Sequence, residues 1–192
     1  MLSTRPVLTA LSAVALTLAA CDRQASERAE EAPAPAAAAR TTAAGTVLTT
    51  AQRDADLTTL VSALQTAGIA ATLDGDGPYT LFAPTNAAFE KVPAARRDAL
   101  TAPEGRADLR RLLTYHVIPA RLDAAALIQR IQAGGGSLEL TTMQGGALTA
   151  RTDAAGAITL TDAAGGVSRV VEADMAASNG VVHVVDTVAA PG

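Results

Sequence analysis

The chain predicts a single α+β domain, and two observations carry that expectation. The apolar period is near 3.6 residues up to position 132 and near 2 from position 138 onward, and glycine-rich turns divide the second half at short, even spacing. Helices in front of a meander of strands make an α+β architecture rather than alternating βα units.

In the front half, Asp56 is placed to cap a helix in which Leu57, Leu60, Val61 and Leu64 recur on one face, and Gly68 supplies its stop. Asp74-Gly75-Asp76-Gly77-Pro78 is a turn, Tyr79 to Ala83 a short strand ended by Pro84, and Thr85 or Asn86 the cap of a short helix carrying Phe89. A second helical stripe joins Leu109, Leu112, Leu113 and His116, with Val117 and Ile118 running out to Pro119. Asp123 to Gln132 is a further helix, stopped by Gly134-Gly135-Gly136. Strands follow at Leu138 to Thr141, Leu148 to Arg151, Ile158 to Thr161, Val167 to Val171 and Val181 to Val185. Asn179-Gly180 reads as a tight turn of positive φ that launches the last of them, a largely buried strand with His183 inside it. No repeat of solenoid length is evident.

Ahead of this domain the sequence reads as an address. Arg5 precedes fourteen uncharged residues, Val7 to Ala20, too few to span a bilayer well and fitting for a removable leader over residues 1–20. Leu18-Ala19-Ala20-Cys21 is similar to a bacterial lipobox, which implies cleavage before Cys21 and lipid on it; Cys21 is the only cysteine, and acylation disposes of a thiol that would be a liability in an oxidising compartment. The resemblance to bacterial lipoproteins implies, from Asp22 beside the cysteine, the periplasmic face of the inner membrane, with the outer membrane as the alternative. Residues 21–45 are rich in Ala, Pro, Glu and Arg and hold no large aliphatic or aromatic residue, so they read as a tether spanning on the order of 25–30 Å. Residues 46–192 then make one ordinary domain.

Composition limits the function. Loss of the leader removes one of fifteen Lys and Arg and none of nineteen Asp and Glu, for a formal charge of about −5, which argues against nucleic acid. Two Tyr, two Phe and no Trp leave no aromatic platform for sugars or bases. Ser178, His183 and Asp186 invite a catalytic triad, but strand alternation points His183 and Asp186 apart and no Gly-x-Ser-x-Gly elbow occurs. His116 and His183 lack a cysteine or third ligand for a metal and read as packing residues. Asp74 to Gly77 lacks the later ligands of a calcium loop, and Lys91, the only lysine, follows no phosphate-binding loop. Arg96-Arg97 and Arg110-Arg111 read as solvated helix faces. No enzyme and no cofactor is expected.

Three ordered segments carry a resemblance. Tyr79 to Phe89 resembles the first signature box of the fasciclin domain, Tyr115-His116 its central pair, and Ala177 to Val188 its second box. The resemblance covers Thr46 to Pro191. It implies a compact wedge of two β-sheets with helices along one side, a role in adhesion or extracellular interaction, no common enzymatic activity, and structural roles for Tyr115, His116, Asn179, Gly180 and His183. Glu172 to Gly180 also aligns with the integrin-recognition segment of animal fasciclin-domain matrix proteins, but the family has proline, isoleucine and methionine where this chain has Ala173, Met175 and Ala176. Integrin recognition is therefore not expected. Asp174 and Met175 are the candidate contact residues for a protein or polysaccharide of the envelope or matrix, and carriage of a small apolar ligand such as a carotenoid is the alternative.

Overall fold

The computed structural model describes residues 45–191, so the leader, Cys21 and nearly all of the tether lie outside the described residues. Thr46 caps the first helix, α1 (Val47–Gln52), through its side chain. Asp54 rather than Asp56 opens the next element, because its carboxylate takes the Asp56 N–H and starts a 3₁₀ turn over Ala55–Leu57 that leads into α2 (Thr58–Thr66). Gly68, at φ +70°, closes α2: its N–H reaches the Gln65 carbonyl and the Ile69 N–H that of Leu64. That pair of bonds is the Schellman cap, which needs a left-handed residue there. Nothing stands within 4 Å of a Cβ built on Gly68. Gly68→Ala should therefore cost about 1 kcal/mol, the left-handed penalty alone, and a drop of several kcal/mol in a urea titration would contradict this account.

The chain continues through α3 (Ala70–Leu73), β1 (Tyr79–Pro84), α4 (Asn86–Glu90), α5 (Ala94–Thr101), α6 (Arg106–Tyr115), β2 (Val117–Ile118) and α7 (Ala124–Ala133). Thr85 caps α4 and Asp123 caps α7, as their positions before the apolar runs predict. Five strands complete the fold: β3 (Ser137–Thr141), β4 (Ala147–Thr152), β5 (Ile158–Thr161), β6 (Val167–Ala177) and β7 (Gly180–Val185). The strand order is β2-β1-β7-β6-β5-β4-β3. β6 joins the two halves, since Val167 to Arg169 pair with β5 and Val170 to Ala177 with β7.

The three hairpins of the meander share one turn. Gly145, Gly156 and Gly165 all have φ between +81° and +93°, each after a turn opened by Thr142, Asp153 or Asp162. Asp153 and Asp162 each bend a carboxylate oxygen back onto two N–H groups of their own turn, the mechanism that makes Asp a turn former. These are three-residue loops with a left-handed glycine, as the repeated Thr-Asp-Ala-Ala-Gly words suggest.

The parallel pair β1 and β7 is buried on both faces and divides two cores. Leu81, Ala83, Val182 and Val184 face one core, filled by Val47, Leu57, Leu60, Leu64, Leu109 and Leu113 from the helices. Phe82 and Val185 face the other, filled by Leu127 and Ile131 of α7 and by Leu140, Leu148, Ile158 and Leu160 of the meander. Each of these leucines contributes about 1.5–3 kcal/mol by leaving water, which is how a chain with four aromatics builds a core.

Candidate functional site

The second box closes the structure around Asn179. The turn between β6 and β7 is Ser178-Asn179, since Ala177 pairs with Gly180, and neither Asn179 nor Gly180 has positive φ. The expected left-handed Asn-Gly turn is thus corrected: Gly180 is required by proximity instead. A Cβ on it would stand 2.0 Å from the Tyr79 carbonyl oxygen and 2.8 Å from a Val47 methyl. Asn179, nearly buried, accepts the Val47 N–H at 2.8 Å and donates to the carbonyls of Leu73 at 2.8 Å and Gly75 at 2.6 Å. One side chain so ties the hairpin to α1, to the end of α3 and to the turn before β1. Arg121, not singled out by sequence, donates from Nη1 to the carbonyls of Gly180 at 3.1 Å and Ala177 at 3.3 Å.

His183 is fully buried and stacks on Phe82 with ring centroids 5.5 Å apart. Its Nε2 lies 2.8 Å from the Leu122 carbonyl oxygen, and its Nδ1 receives the Asp174 N–H at 3.3 Å. A carbonyl only accepts and an amide only donates, so the ring is neutral with its proton on Nε2. His116 is the mirror case: Nδ1 donates to the Leu112 carbonyl at 2.8 Å and Nε2 accepts from Ala189 N at 3.0 Å. Burial pushes both imidazoles below their ordinary range, against smaller upward pulls from the Leu112 and Leu122 carbonyls and from Asp162 near His116 and Asp174 and Asp123 near His183. The hydroxyl of Tyr115 donates to the Ala147 carbonyl and accepts from Ala163 N at 3.1 Å, and burial raises its pKa. All four imidazole nitrogens are therefore committed to main chain, and His183 and Asp186 have separate partners: Asp186 takes the Arg169 N–H and the Thr187 hydroxyl.

Asp174 sits where β6 departs from regular register, at φ +63°, the one non-glycine residue with positive φ among those described. An irregularity of this kind re-aims the strand, and Asp tolerates the left-handed region better than most residues. Its carboxylate takes the Ala124 N–H at 2.7 Å, at the start of α7. Glu172, Ala173 and Asp174 are exposed, whereas Met175 is half-buried against the helical core. The candidate pair is thus split between a surface acid and an anchored side chain.

A second feature is not legible in the sequence. Between α2, α4, α5 and α6 lies a cleft of about 390 Å³. Arg96 and Arg97 border it, although their positions suggest only a solvated face. The signal available was Leu100 three and four residues beyond them on the same helical stripe. Among the described residues no three His, Cys, Asp or Glu are grouped to hold a metal, and no helix is long and apolar enough to cross a membrane.

Comparison with known proteins places these features in one family. The Fasciclin domain family model matches residues 55–191. Protein sll1483 of Synechocystis sp. is 36% identical over 153 residues, covering 80% of this chain and 77% of that one. Immunogenic protein MPB70 of Mycobacterium bovis is 31% identical over 150 residues, 76% of this chain and 68% of that one. The Sus scrofa transforming growth factor-beta-induced protein ig-h3 is 34% identical over 77% of this chain, which spans 19% of its length. A solved FAS1 domain pair from the insect cell adhesion molecule Fasciclin I superposes with a TM-score of 0.67 at 19% identity, over 75% of this chain and 50% of that one. A family model matching most of the chain, and a relative 36% identical over four fifths of it, make the assignment: the chain belongs to the fasciclin domain family.

Proposed function

We propose that this protein is an extracytoplasmic, membrane-tethered interaction module that binds a protein or polysaccharide of the cell envelope or matrix. Family membership over residues 55–191 carries this reading, supported by a structural neighbour named for cell adhesion. The leader at residues 1–20, lipid on Cys21 and the tether to position 45 hold the domain, residues 46–192, clear of the headgroups. A non-catalytic role is supported by the use of its histidines, its buried tyrosine and Asp186 in hydrogen bonds to main-chain groups.

The contact surface is the irregular segment of β6 around Asp174 and Met175, an exposed acid beside a half-buried apolar side chain. Crosslinking capture in intact cells tests the reading, comparing wild type with Asp174→Ala and Met175→Ala. An envelope component captured by wild type and reduced several-fold by either change supports it. Failure to capture any partner, or capture indifferent to both changes, counts against the module or against this surface respectively. Asp174→Ala also removes the bond to Ala124 N, an effect of about 1 kcal/mol that a thermal melt registers separately.

A further inference from the structure

We propose that the cleft between α2, α4, α5 and α6 is a binding site for one long-chain carboxylate, a single-chain amphiphile of the fatty-acid type. This stands independently of the surface reading above. The cleft's 390 Å³ lies at the small end of the range of about 300–1,000 Å³ occupied by ligand sites, suiting one acyl chain rather than a two-chain lipid. Its floor is the core itself, made by Phe89, Leu109 and Leu112, while Ala63 of α2 and Leu100 of α5 form facing walls.

The mouth has a single sign of charge. Lys91, Arg96 and Arg97 line the cleft and no carboxylate does, in a chain where nineteen acids outnumber fifteen bases. None of the three is in an ion pair among the described residues, where the pair recorded joins Arg169 and Asp153. Lys91 is held by the Asp186 carbonyl at 2.8 Å, which orients the ammonium without neutralising it. The neighbouring hollow, which shares Arg96, Leu100 and Leu112 with the cleft, carries Asp108 beside Arg111. Apolar walls under a cationic rim match a molecule that is apolar along its length and anionic at one end; an alcohol leaves the rim unanswered and a cation is repelled.

α5 supplies an independent reason. No residue of this eight-residue helix is fully buried, and Leu100, its largest apolar side chain, is only half covered. A helix in a folded domain is held chiefly by packing of its apolar face, and Leu100, which packs against the helical core, is left partly uncovered where it lines the cleft. A bound acyl chain completes the contact.

The test titrates the full chain, stripped of bound lipid, with decanoate, laurate and myristate, using dodecanol and dodecyltrimethylammonium as comparators of matched length. One laurate should bind per chain, with affinity rising about fourfold per added methylene and falling with salt. Dodecanol should bind at least tenfold more weakly and the cation more weakly still. The double variant Arg96→Gln, Arg97→Gln should bring laurate down about tenfold, to the level of dodecanol, with dodecanol binding and the thermal melt unchanged. Ala63→Phe, which fills the cleft, should abolish both; if that variant fails to fold, the arginine pair decides. Absence of laurate binding, equal affinity for the three head groups, or indifference of laurate to the arginine changes would each overturn the proposal.

Discussion

Asn179→Ala is expected to cost about 3–5 kcal/mol, a large share of a domain's total stability of about 5–15 kcal/mol. The change strands three main-chain groups at once: the N–H of Val47 and the carbonyls of Leu73 and Gly75. Val47 is fully buried and Leu73 nearly so, so water cannot readily replace the lost amide there, and each unsatisfied group costs about 1–3 kcal/mol. The loss should appear in a urea titration as a lowered midpoint, and in hydrogen exchange as early opening of α1. Asn179→Asp separates the chemistry from the volume. It keeps the acceptor for Val47 N but turns the donor into a charged oxygen facing two carbonyls, so it should destabilise at least as much as alanine. A stability change below about 1 kcal/mol in Asn179→Ala would show that the clasp is dispensable.

That residue also marks where sequence stopped speaking. Its position in a turn before a buried strand was legible, and so was the meander, because each strand alternates and each hairpin carries its own glycine. What Asn179 binds was not legible, since Val47, Leu73 and Gly75 lie more than a hundred residues away in the chain. The sequence predicts β6 only to Val171, but the strand runs to Ala177. Glu172-Ala173-Asp174-Met175-Ala176 has neither alternation nor β-branched residues, and it is strand because β7 pairs with it across two irregularities. For the same reason α1 and α3 escaped notice: helices of six and four residues carry too little periodicity to announce themselves, and tertiary packing of Val47, Leu48 and Leu73 holds them. The burial of Tyr115 and His116 is legible because their stripe, Leu109, Leu112 and Leu113, is local. The cleft was invisible because it belongs to four helices at once.

Acidification below about pH 6.5 should destabilise the fold, and the two histidines set the sign. Burial holds both His116 and His183 below the ordinary value near 6.5, which the unfolded chain keeps. Above about pH 6.5 both states are neutral and neither ring makes stability depend on pH. Below it the unfolded chain takes up protons that the fold refuses, so stability falls as pH falls, until the pH passes the folded values. The slope is about 1.4 kcal/mol per pH unit for each proton, so about 2.7 kcal/mol per unit where both act together. Geometry explains the refusal. A proton on His116 Nε2 would face the Ala189 N–H, and one on His183 Nδ1 the Asp174 N–H, donor against donor. The attraction of Asp162, and of Asp174 and Asp123, opposes this more weakly than burial imposes it. Urea titrations at half-unit steps from pH 7.5 to 4.5 should show a plateau and then a decline beginning near 6.5, while imidazole nitrogen shifts should report a proton on Nδ1 of His116 and on Nε2 of His183 at neutral pH. A stability flat across that interval, or the opposite tautomers, would contradict the buried neutral pair. Because Asp174 N is one of the groups a protonated His183 would repel, the same titration should loosen the exposed bend of β6 first, seen as faster hydrogen exchange at Asp174 and Ala124 than at Leu81.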